Sequence, residues 1–405
     1  MNRRDIIKAA AVMGTAAFAT TVASYAASMT RSSGLADDNA DSLSAQKKWA
    51  RENMRGIENI LLPSFHPDLT TVDEDALRIE VRNTAAQGFC STAVFPVWVK
   101  ESDPRWRPMS EVIIDECRKN ALFISAGAGG RVANGAKPVI DRLLLLESMG
   151  FSHVLLSFYG DSSTSEEALY EMYRECAEST ALPIILYANI QPNMRHLGPQ
   201  GIPVGVFKRL AALPNIVAIK ISQPVDLTTT FRICDQLSES LLCAPVNLDF
   251  VPLLSRSFSN IQYSGQWCAE AVQTPGNPLA VNLMSSVIEK DFNKAFATYE
   301  QMQAAIQEFY RLQAPTIVVG GHPWLHLKYY SWLGGGNGGL LPDLGKSIEQ
   351  VPPLTAADRR TMRQAFQRSG LPINDADEEE FIVGRAAWAR GVRVNDFQTH
   401  PLYIK

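Results

Sequence analysis

Between Ile57 and Gly276 the sequence repeats one pattern eight times, a short apolar run followed by a segment with helical spacing. Each apolar run is bounded by turn residues and has the length of a strand that is buried on both faces. The runs are IENILL, STAVF, ALFISAG, HVLLSF, PIILY, IVAIKI, LLCAP and NIQYS. Alternating strands and helices predict a parallel sheet, and eight units in about 220 residues predict a closed (β/α)8 barrel, a fold of typically ~250 residues.

A doubly wound open sheet is the alternative for such an alternation. That fold binds a dinucleotide at a glycine-rich turn after its first strand, and the segment LLPSFHPDLT after the first predicted strand has no such turn. The barrel is therefore favoured, over residues 56–276. A C-terminal helical region is predicted over 277–373, with a long amphipathic helix from Asp291 to Leu312, and a tail of unassigned role over 374–405.

The first residues have the pattern of an export signal. Arg3 and Arg4 precede an apolar pair, Lys8 and a long run of small and apolar residues. This resembles a twin-arginine leader over 1–27, followed by a linker and an N-terminal helix over 28–55. It predicts a protein exported in its folded form, to the periplasm or beyond. An ordinary basic start on a membrane anchor is the alternative.

Composition and spacing exclude several other function classes. The formal net charge of −4 indicates no basic surface for nucleic acid. The six cysteines have neither CxxC spacing nor the pattern of a disulfide framework. His322 and His326 are separated by a proline-containing HPWLH segment without the features of a zinc site, and LGKS lacks the spacing of a phosphate loop. We therefore expect neither a metal nor an organic cofactor.

One lysine interrupts the sixth apolar run. Lys220 lies near the C-terminal end of NIVAIKIS, and lysine is rarely buried without a partner. In (β/α)8 barrels the catalytic groups lie at the C-terminal ends of the strands. Tyr187 closes the fifth run and Tyr159 follows the fourth, so three consecutive strands should present two phenols and an amine at one rim. Cys268 and Glu270, beyond the eighth run, could also face the site.

An amine beside phenols suits carbonyl chemistry. The ordinary pKa of a lysine is about 10.4, and burial lowers this pKa and exposes the neutral amine. A neutral amine can form a Schiff base with a ketone, while a nearby tyrosine relays protons. The alternative is that Lys220 extends its ammonium group to a solvated loop.

The order of several segments resembles the dihydrodipicolinate synthase and N-acetylneuraminate lyase superfamily of Schiff-base aldolases and lyases. The resemblance extends from Gly56 to about Ile373 and is carried by GIENILLPSF, PIILYANI and NIVAIKIS. It implies that Lys220 forms an imine with a small 2-keto acid or keto sugar acid, that Tyr187 relays protons and that Tyr159 assists, in some members across a subunit interface. It also implies a homo-oligomer, a dimer or a tetramer, without a cofactor.

Two loops depart from the family pattern. The glycine–threonine or glycine–serine turn ending in TGE, which holds the substrate carboxylate, is replaced by VWVKES, in which only Glu101 matches and Trp98 fills the turn. After the tyrosine, NVPxRTG is replaced by ANIQPNMRHLG, in which Arg195 either binds a carboxylate or lies on the surface. We take Trp98, Glu101 and Arg195 as candidate substrate-binding residues in a bulkier, more aromatic pocket. A non-catalytic ligand-binding barrel and a dehydratase using the same imine are the alternative functions.

Overall fold

A computed structural model describes residues 43–265 and 267–396, and in them the predicted (β/α)8 barrel is confirmed. Three predicted segments lie wholly or partly outside these residues: the proposed leader over 1–27, the start of the linker and the end of the tail. The eight strands are β1 Gly56–Leu61, β2 Ser91–Val94, β3 Phe123–Arg131, β4 His153–Tyr159, β5 Ile184–Ala188, β6 Ile216–Ile221, β7 Leu242–Pro245 and β8 Tyr263–Gly265.

Helices follow the strands in the order that the sequence predicts, and further helices follow the barrel. Helix α1 Ala45–Asn53 precedes β1, and the helices that follow β1 to β7 are α2 Glu74–Ala86, α3 Trp106–Lys119, α4 Lys137–Met149, α5 Glu166–Glu178, α6 Val204–Leu210, α7 Leu227–Leu237 and α8 Val251–Ser255. The later helices are α9 Leu279–Ile288, α10 Phe292–Ile317, α11 Trp324–Leu333, α12 Ala356–Arg368, α13 Glu378–Val383 and α14 Arg385–Ala389. No helix in the described part of the chain is both long and apolar enough to cross a membrane.

The strands pair in parallel in the order β7-β6-β5-β4-β3-β2-β1-β8. The remaining seam, between β7 and β8, is joined by single hydrogen bonds. The amide of Cys243 donates to the carbonyl of Asn260 at 3.1 Å, and the Ser264 hydroxyl donates to the carbonyl of Pro245 at 2.6 Å. The sheet is therefore nearly closed, and the C-terminal strand ends meet at one rim.

Local capping residues set the starts of several barrel helices. The carboxylate of Asp73 accepts from the amide of Ala76 at the start of α2, and the hydroxyl of Ser165 caps α5 in the same way. The carboxylate of Asp226 caps α7, where it accepts from the amide of Thr229. Such caps satisfy amides that have no partner within the helix, so the sequence itself fixes where these helices begin.

Helix α1 closes the N-terminal end of the barrel. Its residues Ala50 and Met54 are buried against the inward-facing side chains of the strands, and the Trp49 ring packs edge-on against Phe123 at 5.4 Å. The side-chain amide of Gln262, just before β8, donates to the carbonyl of Met54 at 3.0 Å. Helix α1 therefore covers the N-terminal end of the barrel interior.

The helices after the barrel pack against its side and reach its rim. The fully buried Lys328 of α11 forms an ion pair with Glu80 of α2 at 3.1 Å. The tail contributes α13 and α14, and there Arg390 forms ion pairs with Asp73 and Asp75 at the start of α2. The C-terminal region is thus anchored to the β1–α2 side of the barrel.

Candidate active site

Lys220 and Tyr187 occupy paired positions on adjacent strands. The register of β5 and β6 places Tyr187 directly opposite Lys220, and the Lys220 Nζ lies 5.5 Å from the centroid of the Tyr187 ring. Both residues lie close to the C-terminal ends of their strands and are partly exposed. The structure therefore brings together the amine and the phenol that the sequence predicts at one rim.

The surrounding barrel wall alters the acid–base properties of the lysine. Desolvation lowers the pKa of Lys220 to about 8, although the negative charges of Glu58 and Glu270 act in the opposite direction. With this pKa, about a tenth of the amine is neutral at pH 7, compared with less than about a thousandth for an ordinary lysine. The neutral amine is the nucleophilic form.

The phenol of Tyr187 has a hydroxyl partner directly after the strand that carries the lysine. The Tyr187 Oη and the Ser222 Oγ are 3.1 Å apart. Desolvation raises the pKa of Tyr187 to about 12, so the phenol is protonated at neutral pH and can donate a hydrogen bond. Sequence reasoning missed Ser222, although it lies two residues after Lys220 and the period of a strand places both on one face.

A buried carboxylate lies inside the barrel, towards the N-terminal ends of the strands. Glu58 of β1 accepts from Ser91 at 2.9 Å and Ser125 at 2.8 Å, and its carboxylate lies 3.0 Å from the His153 Nε2. Desolvation acts to raise the pKa of Glu58, but its polar neighbours outweigh this effect and lower the pKa to about 2. These neighbours are His153, through its hydrogen bond and charge, the hydroxyl of Ser125 and the charge of Lys220. Glu58 is therefore an anion whose charge reaches Lys220.

Glu270 is a second buried carboxyl group at the rim. It lies on the 3-10 helix Ala269–Val272 after β8, and its Oε1 accepts from the amide of Ile60 at 3.0 Å. Desolvation raises the pKa of Glu270 to about 7, although the Ile60 amide and the charge of Lys220 act to lower it. The sequence indicates only that Glu270 could face the site, and its burial is visible only in the structure.

The other predicted site residues lie in different surroundings. Tyr159 ends β4 and is 44% exposed, which leaves its ring available to solvent. Glu101 is held by Arg142 in an ion pair of 2.9 Å, and Arg195 is exposed on the 3-10 helix Pro192–Leu197. The structure thus places Glu101 beside a cation of the protein and Arg195 on the surface.

Trp98 belongs to an aromatic cluster that joins the barrel rim to the C-terminal region. We use this name for Trp98 after β2, Trp267 after β8, and His322 and Trp324 from the segment before and at the start of α11. The Trp98 and Trp324 rings pack edge-on at 5.1 Å, and the Trp267 and His322 rings at 4.5 Å. Desolvation, followed by the charges of Lys346 and Lys220, lowers the pKa of His322 to about 4, so its imidazole is neutral.

Within the described residues, no group of three or more His, Cys, Asp or Glu side chains could hold a metal ion. All six cysteines are free thiols. Cys268 is fully buried, and desolvation raises the pKa of its thiol to about 12, so it is not a reactive thiolate at neutral pH.

Comparison with known proteins gives partial matches in sequence and a broad match in fold. The model of the dihydrodipicolinate synthetase family matches residues 146–243. The 4-hydroxy-tetrahydrodipicolinate synthase of Chloroherpeton thalassium is 29% identical over 176 residues, which cover 42% of this chain and 54% of that protein. The enzyme of the same name from Chlorobium phaeovibrioides is 25% identical over 142 residues, covering 34% and 46%. The matched segments therefore span between 30% and 54% of the length of the curated relatives.

Solved structures share the fold at lower identity. Dihydrodipicolinate synthase from Thermotoga maritima superposes with a TM-score of 0.60 at 17% identity and covers 79% of this chain and 100% of that one. The chloride-inhibited enzyme from Acinetobacter baumannii complexed with pyruvate gives a TM-score of 0.58 at 20% identity, with coverage of 79% and 100%. The segment matched in sequence contains β4, β5 and β6, and with them Tyr187 and Lys220. The sequence comparisons thus show similarity to the dihydrodipicolinate synthase family over part of the chain, and the solved structures show that the fold is shared.

Proposed function

We propose that this protein is a Schiff-base-forming lyase or aldolase that acts on a small 2-keto acid or keto sugar acid. The observation that carries the proposal is the pairing of Lys220, whose pKa is lowered to about 8, with the Tyr187 phenol across adjacent strands. Both groups lie near the C-terminal ends of their strands, at the end of the barrel opposite the one that α1 covers. The family similarity of the segment that contains them supports the same reading.

In the proposed reaction the neutral Lys220 amine attacks the keto carbon of the substrate. A nitrogen–carbon bond forms, the carbonyl oxygen takes up one proton from the attacking nitrogen and a second from an acid and leaves as water, and a protonated imine remains. Tyr187 donates the proton to the departing oxygen and is reprotonated through the hydroxyl of Ser222, which lies 3.1 Å away. The imine then accepts the electron pair of the bond that breaks next.

The barrel interior favours the positive charge that this intermediate carries. Glu58 remains ionised because its pKa is about 2, and its charge acts on the position of the Lys220 nitrogen. A fixed anion in a desolvated interior stabilises a cation more strongly than an anion in water would. Glu58 therefore supplies the counter-charge for the protonated imine.

Trapping of the imine tests the proposal. Sodium borohydride added in the presence of each of a panel of 2-keto acids should leave a reduced adduct on Lys220, located by peptide mass spectrometry. Lys220→Arg keeps a positive charge but cannot form the imine, so it is the matched control and should stay unmodified. If no 2-keto acid or keto sugar acid in a broad panel gives an adduct, the proposal is wrong.

The same imine would also serve a dehydratase. In that reaction a hydroxyl group leaves the carbon next to the imine-activated position and all carbon atoms of the substrate stay in one product. In the lyase reaction the product splits into two carbon fragments. Carbon-13 NMR of the products from a 4-hydroxy-2-keto acid distinguishes the two outcomes.

A non-catalytic ligand-binding barrel is the second candidate, and the loop after β2 favours it. Trp98 stands where the family has its carboxylate-binding turn, and its ring packs against Trp324 of the C-terminal region. A ligand that raises the melting temperature of the wild type and of Lys220→Ala by the same amount, without an adduct in the wild type, would support this function.

A further inference from the structure

A small polar cavity lies between β1, α2, α11 and the 3-10 helix Ala269–Val272. Its volume is about 20 Å³, which is room for one particle of the size of a water molecule. The described residues that line it come from neither β5 nor β6, so the cavity is separate from the pair of Tyr187 and Lys220. Its polar lining consists of Asn59, Glu80, Glu270, Lys328 and Ser331.

Two oxygens of this lining, Asn59 Oδ1 and Glu270 Oε2, are buried and have no hydrogen-bond partner among the described residues. Only 8% of Asn59 and 6% of Glu270 is exposed. The other atom of each group is held by the protein, since Asn59 Nδ2 donates to the Thr84 hydroxyl at 2.8 Å and Glu270 Oε1 accepts from the Ile60 amide at 3.0 Å. A buried polar atom without a partner costs stability, so two of them beside one cavity indicate an occupant.

Both free atoms are acceptors. The Thr84 hydroxyl donates to the carbonyl of Glu80 at 2.9 Å, so it accepts from Asn59, and this assigns the amide nitrogen of Asn59 to that contact and its oxygen to the free position. The side-chain donors of α11 at the cavity are already used. Ser331 donates to Glu80 at 2.7 Å, and the three donors of Lys328 go to Leu62, Ser64 and Glu80. The occupant must therefore supply positive charge or donated protons to two oxygens.

The charges at the cavity favour a cation over water. Lys328 balances Glu80, whereas Glu270 forms no ion pair within the described part of the chain. Desolvation raises the pKa of Glu270 to about 7, although the Ile60 amide acts to lower it, so above this pH an uncompensated carboxylate is present. A bound cation would neutralise that charge, which a water molecule cannot do. The titratable groups around Glu270 are Lys220 on β6, Glu80 on α2, Lys328 on α11 and the thiol of Cys268.

We propose that this cavity binds a monovalent cation no larger than a water molecule, such as Na⁺ or K⁺, between the free oxygens of Asn59 and Glu270. Divalent ions do not suit it, because Mg²⁺ keeps several of its waters and Ca²⁺ takes about six to eight oxygen ligands. The ion joins β1 and the 3-10 helix to the side of α11. Its role is structural, and it depends neither on an imine at Lys220 nor on any substrate.

Thermal unfolding in different chloride salts tests the site. At about pH 8 and equal ionic strength, NaCl or KCl should raise the Tm by about 2–4 °C relative to tetramethylammonium chloride, whose cation is too large for the cavity. Glu270→Gln keeps the size of the side chain and an oxygen for the Ile60 amide but loses the charge, so this rise should vanish. Glu116→Gln, which removes a buried carboxylate on α3 paired with Arg82, is the matched control and should keep the rise. Equal Tm values in all three salts, or a rise that survives in Glu270→Gln, would overturn the inference.

The effect of the cation should also depend on pH. Protons compete with the ion for Glu270, so the rise in Tm should be smaller at about pH 6 than at about pH 8. If Glu270→Gln does not fold, Asn59→Ala replaces it and should raise the salt concentration needed for half of the rise by about tenfold. An unchanged concentration would count against the site.

Crystals of the wild type soaked in a thallium(I) salt locate the ion directly, because Tl⁺ scatters anomalously and can replace K⁺. An anomalous peak between Asn59 and Glu270 is expected, and a cavity that holds only water would overturn the inference. None of these measurements uses enzymatic activity, so their failure leaves the proposed function untouched.

Discussion

Lys328 donates to Glu80 at 3.1 Å in an ion pair that is buried between α11 and α2. The ammonium group of Lys328 also donates to the carbonyl of Leu62 at 3.2 Å and to the hydroxyl of Ser64 at 2.7 Å. These contacts use all three donors of the lysine. The pair therefore has a structural role, anchoring the C-terminal region to the barrel.

We expect Lys328→Met to destabilise the protein by about 3–5 kcal/mol, because the variant leaves the carboxylate of Glu80 buried without its cation. Urea unfolding followed by circular dichroism measures the loss. The double variant Lys328→Met with Glu80→Leu should regain most of it, since no charge then stays buried. Equal loss in the single and double variants would contradict this explanation.

The rate of imine formation should depend on pH through the Lys220 amine. Only the neutral amine attacks the keto carbon, and the pKa of Lys220 is about 8. The single-turnover rate of adduct formation should rise about tenfold per pH unit below that value and level off above it. A rise that continues to about pH 10 would show that the amine titrates as an ordinary lysine.

The lowered pKa of Lys220 also predicts a cost to folding. Its pKa falls from 10.5 to about 8 in the folded state, so between these pH values the unfolded chain binds more protons and wild-type stability rises with pH. Well below pH 8 the full cost is present, about 3 kcal/mol. Lys220→Met should therefore raise the free energy of unfolding at pH 7, and the gain should shrink by pH 10.

Urea unfolding at both pH values measures this effect. The exposed Lys208 of α6 offers a matched control, because Lys208→Met should change the free energy of unfolding by no more than about 0.5 kcal/mol at either pH. A destabilised Lys220→Met at pH 7 would mean that the contacts of the Lys220 ammonium outweigh its desolvation.

Removal of the Tyr187 hydroxyl should slow the formation of the imine. Tyr187→Phe keeps the ring beside Lys220 but loses the proton donor, so the rate of adduct formation should fall by about 10²- to 10⁴-fold. Ser222→Ala should have a smaller effect, because it removes only the partner of the phenol. The double variant should be no slower than Tyr187→Phe, since the two hydroxyls act in series. Additive losses would contradict this order.

Sequence periodicity predicts the barrel well because each strand and helix is a local pattern. It also predicts the meeting of Lys220 and Tyr187, since parallel strands bring their C-terminal ends together. Glu58 in IENILL is, like Lys220, a charged residue inside an apolar run, so the same pattern indicates a functional side chain there. A strand period of two residues would similarly have indicated Ser222.

Contacts between distant segments could not be predicted in this way. Packing of His322 and Trp324 against Trp267 depends on how the C-terminal region docks on the barrel. No local pattern in the sequence contains that information. The same holds for Glu270, whose raised pKa arises from its burial between β1, β8 and the later helices.

We also propose that the protein is exported by the twin-arginine route, which carries folded proteins. Arg3 and Arg4 support this route, and the six free thiols are compatible with a barrel that folds before export, because no disulfide is needed. Replacement of both arginines by lysine should leave the protein in the cytoplasm, as measured by cell fractionation and immunoblotting. Arg31→Lys, outside the pair, is the control and should not alter export. Unchanged export of the double variant would instead support a signal that is read by its apolar run alone.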